Sequence, residues 1–355
     1  MRSHVSDVIA GSPGVAAFLL GLSIATGAGA TEPVPGPVSV PATQKGATSA
    51  VAAQTVDAFD RLFQGPHAGA RAVHTKGILA EGTFVPTEQA ALLSRAVHFH
   101  GPAIPVVVRF SNFSGLPANV DGDAASNPRG MSIKFVLPDG GDTDIVAHSY
   151  NGFPAATPED FLEFLRVLGS QDASRIDRFL ATHPAAQTFA AAPNRSPQSY
   201  AREFYYGVNA FRFTNDAGVS HYGRYRLEPI AGAAYLGPTD VAGKSRDYLA
   251  QELRQRVRQE PARFRLLIQL ARPSDPVNDG TMVWPDDRTV INAGTLTLNR
   301  TVTDDAARQR ALLFTPLNLV GGIAPSADPM LVARTRAYRV SFERRVGTHA
   351  DEKDK

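Results

Sequence analysis

Apolar and polar residues fall into short strand-like runs through the middle of this chain and into helical spacing near its ends. Val106-Val107-Val108-Arg109-Phe110 is an almost unbroken apolar run of the length of a strand covered on both faces. Met131–Leu137 and Thr143–Ala147 are joined by Pro138-Asp139-Gly140-Gly141, which predicts a hairpin. Phe211–Phe213 and His221–Leu227 predict a second hairpin about the turn at Asn215–Gly218. Ala72–Phe84, Phe264–Ala271 and Gly294–Leu298 are further β-favoured runs. Helical periodicity marks Thr55–Phe63, Pro158–Leu168 and Ser245–Gln259, and a helix is expected across Pro325–Tyr338. Many strands with hairpin turns, flanked by helices, predict an α+β fold built on an antiparallel β-barrel. There is no internal repeat.

Composition narrows the chemistry. The chain has 355 residues, 43% of them apolar and 20% charged, which suits one large globular domain or two small ones with ample material for a core. A net charge of +2 with both signs interspersed gives no reason to expect a nucleic-acid or membrane-surface partner. There is no cysteine, which excludes disulfides, zinc–thiolate sites, thiolate haem ligation, c-type haem attachment and thiol peroxidase chemistry. At the N-terminus, Arg2, the apolar stretch Val15–Ala25 and Ala28-Gly29-Ala30 read as a secretory signal peptide over residues 1–30. That points to a periplasmic or secreted protein. Residues 31–50 read as a flexible linker rich in Pro, Ala, Thr and Gly, 51–349 as the folded domain, and 350–355 as a charged tail.

The most informative run is Pro325-Ser326-Ala327-Asp328-Pro329-Met330-Leu331-Val332-Ala333-Arg334-Thr335-Arg336-Ala337-Tyr338. Arg334 stands four residues before Tyr338, so both side chains share one helix face. A guanidinium beside a phenol favours the phenolate, and a phenolate is a strong oxygen ligand for ferric iron. The run resembles the haem-ligating segment of haem catalases, P-S-x-D-x-M-L-x-x-R-x-x-x-Y, at every fixed position. Four more matches follow in family order. Arg71-Ala72-Val73-His74-Thr75-Lys76-Gly77 is similar to R-x-V-H-x-K-G, and Val108-Arg109-Phe110-Ser111 to V-R-F-S. Asn127–Phe135 is similar to D-P-R-G-F-A-V-K-F, and Val283-Trp284-Pro285 followed by Leu296–Arg300 to V-W-P and L-x-L-N-R. Together they span about three quarters of the chain, and they identify it as a member of the haem catalase superfamily; the chain resembles the small bacterial catalase-related peroxidases.

The resemblance assigns roles. It implies a barrel of the haem catalase type that binds haem b, with Tyr338 as the iron ligand and Arg334 keeping it a phenolate. His74 would face the iron from the other side. An imidazole with a pKa near neutrality can take a proton from one peroxide oxygen and return it to the other. Ser111 would hold the second ring nitrogen of His74. Val73 would narrow the approach, and Arg71, Arg109 and Arg345 would pair with the haem propionates. Phe161 and Phe153 are candidates for packing around the haem and its channel. His67, His98, His100, His183 and His221 are expected to be ordinary.

The chain departs from the family pattern at one place. Catalases carry an asparagine in D-x-V-G-N-N-x-P, and here the run is Asp144-Ile145-Val146-Ala147-His148-Ser149-Tyr150-Asn151-Gly152-Phe153-Pro154. His148 falls at the asparagine position without a gap, and a three-residue shift offers Asn151. Loss of the amide would weaken oxidation of a second peroxide. The expected protein is a haem peroxidase that reduces hydrogen peroxide, with small organic peroxides as further candidates, using a small organic donor and retaining weak catalase activity. The alternatives are a full catalase, a fatty-acid hydroperoxide isomerase and a non-enzymatic haem-binding protein. Oligomeric state, with a homo-oligomer among the options, is left open.

Overall fold

The computed structural model describes residues 42–347. The expected signal peptide, the first part of the expected linker and the tail at 350–355 lie outside them. Among the described residues there are twelve strands. They are β1 (Gly77–Pro86), β2 (Ile104–Ser111), β3 (Gly130–Val136), β4 (Asp142–His148), β5 (Ser196–Pro197), β6 (Tyr205–Tyr206), β7 (Phe211–Thr214), β8 (Ser220–Pro229), β9 (Tyr235–Leu236), β10 (Ala262–Leu270), β11 (Val290–Thr301) and β12 (Ile323–Pro325). Eight of them close an antiparallel ring in the order β10-β11-β1-β2-β3-β4-β6-β8, with β8 pairing back to β10. The expected antiparallel barrel is present. β7 and β12 extend the sheet beside β8, and β5 pairs with β9 separately.

The alternation of side chains fills the barrel. Val106, Val108 and Phe110 of β2 and Met131, Ile133 and Phe135 of β3 belong to one buried core, with Phe84, Tyr205, Leu227, Phe264 and Leu296. The intervening residues Arg109, Ser111, Gly130, Ser132, Val146 and His148 therefore belong to the other face of the wall. Both expected hairpins form, β3–β4 about the turn that places Gly140 at φ +84°, and β7–β8 about residues 215–218.

The described helices are α1 (Ala42–Leu62), α2 (Glu88–Leu93), α3 (Pro158–Gly169), α4 (Ala173–Thr182), α5 (Pro184–Ala190), α6 (Pro238–Ala242), α7 (Tyr248–Gln259), α8 (Asp305–Ala311) and α9 (Pro329–Gly347). α1 packs against both α3 and α9. A second apolar cluster, including Phe59, Phe63, Leu162, Phe164, Leu165 and Phe179, ties α1, α3 and α4 together. α3 starts where the sequence places it, because Thr157 accepts a bond from the Asp160 N–H at 3.2 Å and Pro158 fits the first turn. No helix among the described residues is long and apolar enough to cross a membrane.

Three expectations need correction. α1 begins at Ala42, so the end of the stretch expected as a linker is helical. β11 runs from Val290 to Thr301, well beyond the expected Gly294–Leu298. Residues 72–76 are not strand: β1 begins only at Gly77.

Candidate active site

The site begins as a pattern on the barrel wall. In the pairing of β2, β3 and β4, Ser111 lies opposite Gly130, and Gly130 opposite His148. One step along, Arg109 lies opposite Ser132, and Ser132 opposite Val146. Directly opposed residues project to the same face, so these two rows floor a shallow trough with its smallest residues in the middle. All six residues line one open chamber of about 820 Å³. A Cβ on Gly130 would come to 2.6 Å from Ser111 Oγ and 2.9 Å from His74 Nδ1, closer than real contacts allow. Only glycine leaves room for the ring that sits there.

That ring belongs to His74, on the segment that the sequence reading extends as a strand. Residues 74–76 instead bond to the chain at 112–114: His74 N–H to Phe113 O (3.0 Å), Thr75 N–H to Ser114 O (3.1 Å) and Asn112 N–H to Lys76 O (3.0 Å). His74 itself takes φ +55°, a left-handed conformation costly for a residue with this side chain. Arg109 stabilises it by donating from Nη2 to the carbonyls of His74 (2.8 Å) and Thr75 (3.0 Å). The result aims the imidazole into the chamber, with Nδ1 at 3.1 Å from Ser111 Oγ and the ring edge-on to Phe113. Burial, reinforced by the charge of Arg109, the neighbouring His148 and the charges of Arg334 and Arg71, lowers the His74 pKa to about 3. The ring is therefore neutral at ordinary pH, and a weaker base in this pocket than the near-neutral imidazole the sequence suggests.

α9 supplies the opposite wall. Arg334 donates from Nη2 to Tyr338 Oη at 2.9 Å, and its guanidinium lies 5.6 Å from the phenol ring centre. Arg334 Nη1 donates to Asn209 Oδ1, and Asn209 Nδ2 donates to Asp328 Oδ2 at 2.7 Å. Asp328 Oδ1 accepts the Met330 N–H at 2.8 Å at the head of the helix. The guanidinium is thus fixed from both sides and cannot turn away from the phenol oxygen.

At one end of the chamber stand Arg71, Arg109 and Arg345. Arg71 donates to the carbonyls of Gln309 (2.8 Å) and Leu312 (3.0 Å). Arg345 donates to those of Arg310 (3.0 Å) and Leu312 (2.6 Å). Arg109 Nε donates to the Gln309 side chain at 2.7 Å. The acceptors of Arg71 and Arg109 are neutral, so they leave the positive charge of these two side chains uncompensated. Burial, with repulsion from Arg109 and Arg345, holds the Arg71 pKa well below its usual value. Burial brings Arg109 and Arg345 down to about 10, Arg345 with help from Arg109. Clustered buried cations call for anionic groups.

The sequence-selected residues converge. His74, Val73, Ser111, Arg71, Arg109, Arg334, Tyr338 and Arg345 all line the first chamber. Phe161 and Phe153 line a second, adjoining chamber of about 830 Å³, walled also by Phe59, Phe113, Phe164, Phe189 and Met330. The two chambers share Phe59, Val73, His74, His148, Arg334, Ala337 and Tyr338. Of the two residues offered for the asparagine position, His148 lines both chambers and Asn151 lines neither. Trp284 and Arg300 lie elsewhere: the Arg224 guanidinium lies 4.2 Å from the Trp284 ring centre, and Arg300 pairs with Glu81. Sequence reasoning missed Asn209 and Gln309, which carry no local signal, and gave no role to Gly130, although the quoted N-P-R-G run contains it.

The family model "Catalase" matches residues 38–352. The chain belongs to the catalase family. A catalase-related peroxidase from Mycolicibacterium paratuberculosis is 38% identical over 83% of this chain and 94% of its own length. Another from Synechococcus elongatus is 33% identical over 84% and 90%. A fungal catalase structure superimposes with a TM-score of 0.70 at 24% identity, covering 82% of this chain and 62% of that one. This catalase-family chain is therefore an oxidoreductase acting on peroxide.

The catalase family is haem-dependent, and the residues present fit that group. Among the described residues no cluster of three or more His, Asp or Glu could hold a metal ion. Tyr338 offers a single oxygen, which would suit an iron whose remaining ligands a porphyrin supplies. The buried arginine cluster at one end of the chamber suits its two carboxylates.

Proposed function

We propose that this protein is a haem b peroxidase. It reduces hydrogen peroxide, and small organic peroxides, with electrons from a small organic donor, and it releases little oxygen. The observation that carries this reading is the confrontation across one chamber of Tyr338, oriented by Arg334, with His74, held by Ser111. The haem, when bound, supplies the two-electron oxidation and reduction that the side chains cannot.

The chain's own residues supply binding and proton handling. Tyr338 Oη would ligate the iron, and the Arg334 hydrogen bond stabilises negative charge on that oxygen. Arg71, Arg109 and Arg345 would hold the propionates. His74, neutral at working pH, takes a proton from the first peroxide oxygen and delivers it to the second, which leaves as water. Ser111 keeps the ring in one orientation through both transfers. Val73, at the junction of the two chambers, limits what reaches the ring. Reduction to two waters takes two electrons and two protons, and the donor provides the electrons.

The apolar second chamber also favours one other reading, isomerisation of a fatty-acid hydroperoxide, because such a chain needs an apolar channel that opens onto His74 and Tyr338. The optical spectrum of the purified protein, with oxygen followed in the same cuvette, separates the cases. A ferric haem band that changes with hydrogen peroxide, returns on adding a phenolic donor and yields little oxygen supports the peroxidase. Turnover of a lipid hydroperoxide with no donor would replace it with the isomerase. Tyr338→Phe should lose the haem band or its peroxide response, and His74→Ala should keep the band and lose most of the response. Unchanged peroxide consumption in both would sink the assignment.

A further inference from the structure

We propose that a third chamber, bordering the apolar second one, binds the organic donor, and that this donor is a small aromatic amine whose N–H groups meet the carboxylate of Glu203. The inference names the donor class of the peroxidase reading and rests on that reading. The chamber has a volume of about 710 Å³, within the range of small-molecule sites. It shares no residue with the first chamber. Its walls come from the segment after β4, the stretch between α5 and β6, and β9. The β5–β9 pairing sets Tyr235 opposite Pro197, and the Ala234 N–H donates to Arg202 O at 3.0 Å. Tyr235 and Glu203 are thereby brought together across 32 positions. Pro128 and Phe189 line both this chamber and the second one. An electron can cross such a shared wall where a molecule cannot.

Glu203 selects the ligand. It is 4% exposed and lines the chamber. Tyr235 Oη donates to its Oε1 at 2.7 Å, and the Phe204 N–H donates to the same oxygen at 3.0 Å. Among the described residues nothing donates to Oε2, and Glu203 has no ion-pair partner. Asn127 Nδ2 is also partnerless but wholly enclosed, whereas Oε2 keeps contact with open space. The one cation of this lining, Arg195, lies 5.2 Å from the Tyr235 ring centre instead. Burial raises the Glu203 pKa, against the bonds from Tyr235 and Phe204 and the charges of Arg129 and Arg195. A buried carboxylate oxygen without a donor is costly, so the chamber favours a group that brings N–H donors or positive charge. Tyr150, Phe189 and Tyr235 add three rings, Phe189 edge-on to Tyr150 at 5.1 Å. Rings beside one carboxylate suit a ring that carries an amino group. On losing an electron such an amine becomes a strong acid. Its N–H bond breaks toward Glu203 Oε2, which takes the proton and passes it to solvent, and the neutral radical leaves. Hydrogen peroxide needs two electrons and two protons to give two waters, so two amine molecules react in turn. An anionic donor gains nothing from this carboxylate.

Glu203→Gln tests this at fixed shape. Its carbonyl oxygen can keep the Tyr235 and Phe204 bonds, which turns an NH₂ group to the chamber in place of Oε2. Calorimetric titration of the haem-loaded wild type with p-phenylenediamine, without peroxide, should show one site. Its dissociation constant should rise on the order of tenfold in Glu203→Gln. Ala192→Trp, which adds a bulky ring to the same lining, should weaken binding as well. In turnover the loss should fall on the amine alone: in Glu203→Gln the KM for p-phenylenediamine should rise with the dissociation constant, and that for the anionic donor ferrocyanide should not. Absence of binding to wild type, or a dissociation constant unchanged in either variant, would overturn the proposal, as would an equal loss with ferrocyanide. If Glu203→Gln does not fold, Ala192→Trp decides. A wild-type protein that oxidises neither donor with hydrogen peroxide would instead overturn the peroxidase reading itself.

Discussion

At the scale of single residues, Gly130 matters through what it lacks. His74 reaches the chamber from a left-handed backbone position, its carbonyl fixed by Arg109, and its ring then has one place to go. That place is above Gly130, where an added methyl would approach Ser111 Oγ to 2.6 Å and His74 Nδ1 to 2.9 Å. Both atoms belong to the same 3.1 Å contact, so the methyl would wedge the pair apart. Gly130→Ala should therefore bind haem normally, because Tyr338 and the arginines are untouched. Its rate of reaction with hydrogen peroxide should drop on the order of a hundredfold, the usual result of misplacing a catalytic group by about 1 Å. Stopped-flow mixing of the haem-loaded variant with peroxide reads this directly. A rate equal to wild type would mean that the ring tolerates displacement and that the tight fit is only packing.

At the scale of elements, α9 works because its first residues are pinned. Asp328 accepts from Met330 N–H with one oxygen and from Asn209 with the other, and Asn209 in turn holds Arg334. A helix-capping bond and the orientation of the iron-side guanidinium are thus one network. Asp328→Ala should cost about 1 kcal/mol in stability, as lost caps do. It should also alter the visible spectrum of the bound haem, because Arg334 can then swing from Tyr338 Oη. Loss of stability with an unchanged spectrum would reduce Asp328 to a cap. Part of this network could be read from sequence, since Arg334 and Tyr338 share a helix face and Asp328 is a fixed position of the matched run. Asn209 could not, because it lies in an irregular segment and meets Arg334 across 125 positions. The same division holds throughout. The β3–β4 hairpin and α3 were legible because turn residues and periodicity are local. The turn at His74 was not, because β-favoured residues occupy a segment whose shape is set by bonds to 112–114 and to Arg109. That His148 and not Asn151 lines the chambers likewise depends on β3–β4 pairing, which no single segment specifies.

At the scale of the molecule, the barrel interior carries a titration that the site does not need. His98 is 1% exposed, lies 4.2 Å from the Phe99 ring centre and 4.8 Å from that of Phe135, and its Nδ1 has no partner. It lines neither chamber. Burial, with a smaller contribution from His100, lowers its pKa to about 3. The unfolded chain would bind a proton at this residue below ~6.5, while the folded chain resists until about 3. Between those values the unfolded state holds more protons, so stability falls as the pH falls. Moving from about pH 7 to about pH 5 should cost about 2 kcal/mol through this residue alone. His74 and His148, also lowered to about 3, push the same way. Asp144 opposes them: burial raises its pKa to about 6, so the folded state keeps a proton there that the unfolded state releases. The wild-type curve mixes all of these, but a comparison with His98→Leu isolates one. The variant starts from whatever offset its packing imposes at neutral pH, and that offset should shift in its favour by about 2 kcal/mol on acidification to about pH 5, with peroxide reactivity at neutral pH intact. Urea unfolding of both haem-loaded proteins at the two pH values measures the shift. An offset that does not change with pH would show that His98 takes up its proton as easily inside the barrel as outside, and the apolar surroundings would then carry no electrostatic cost.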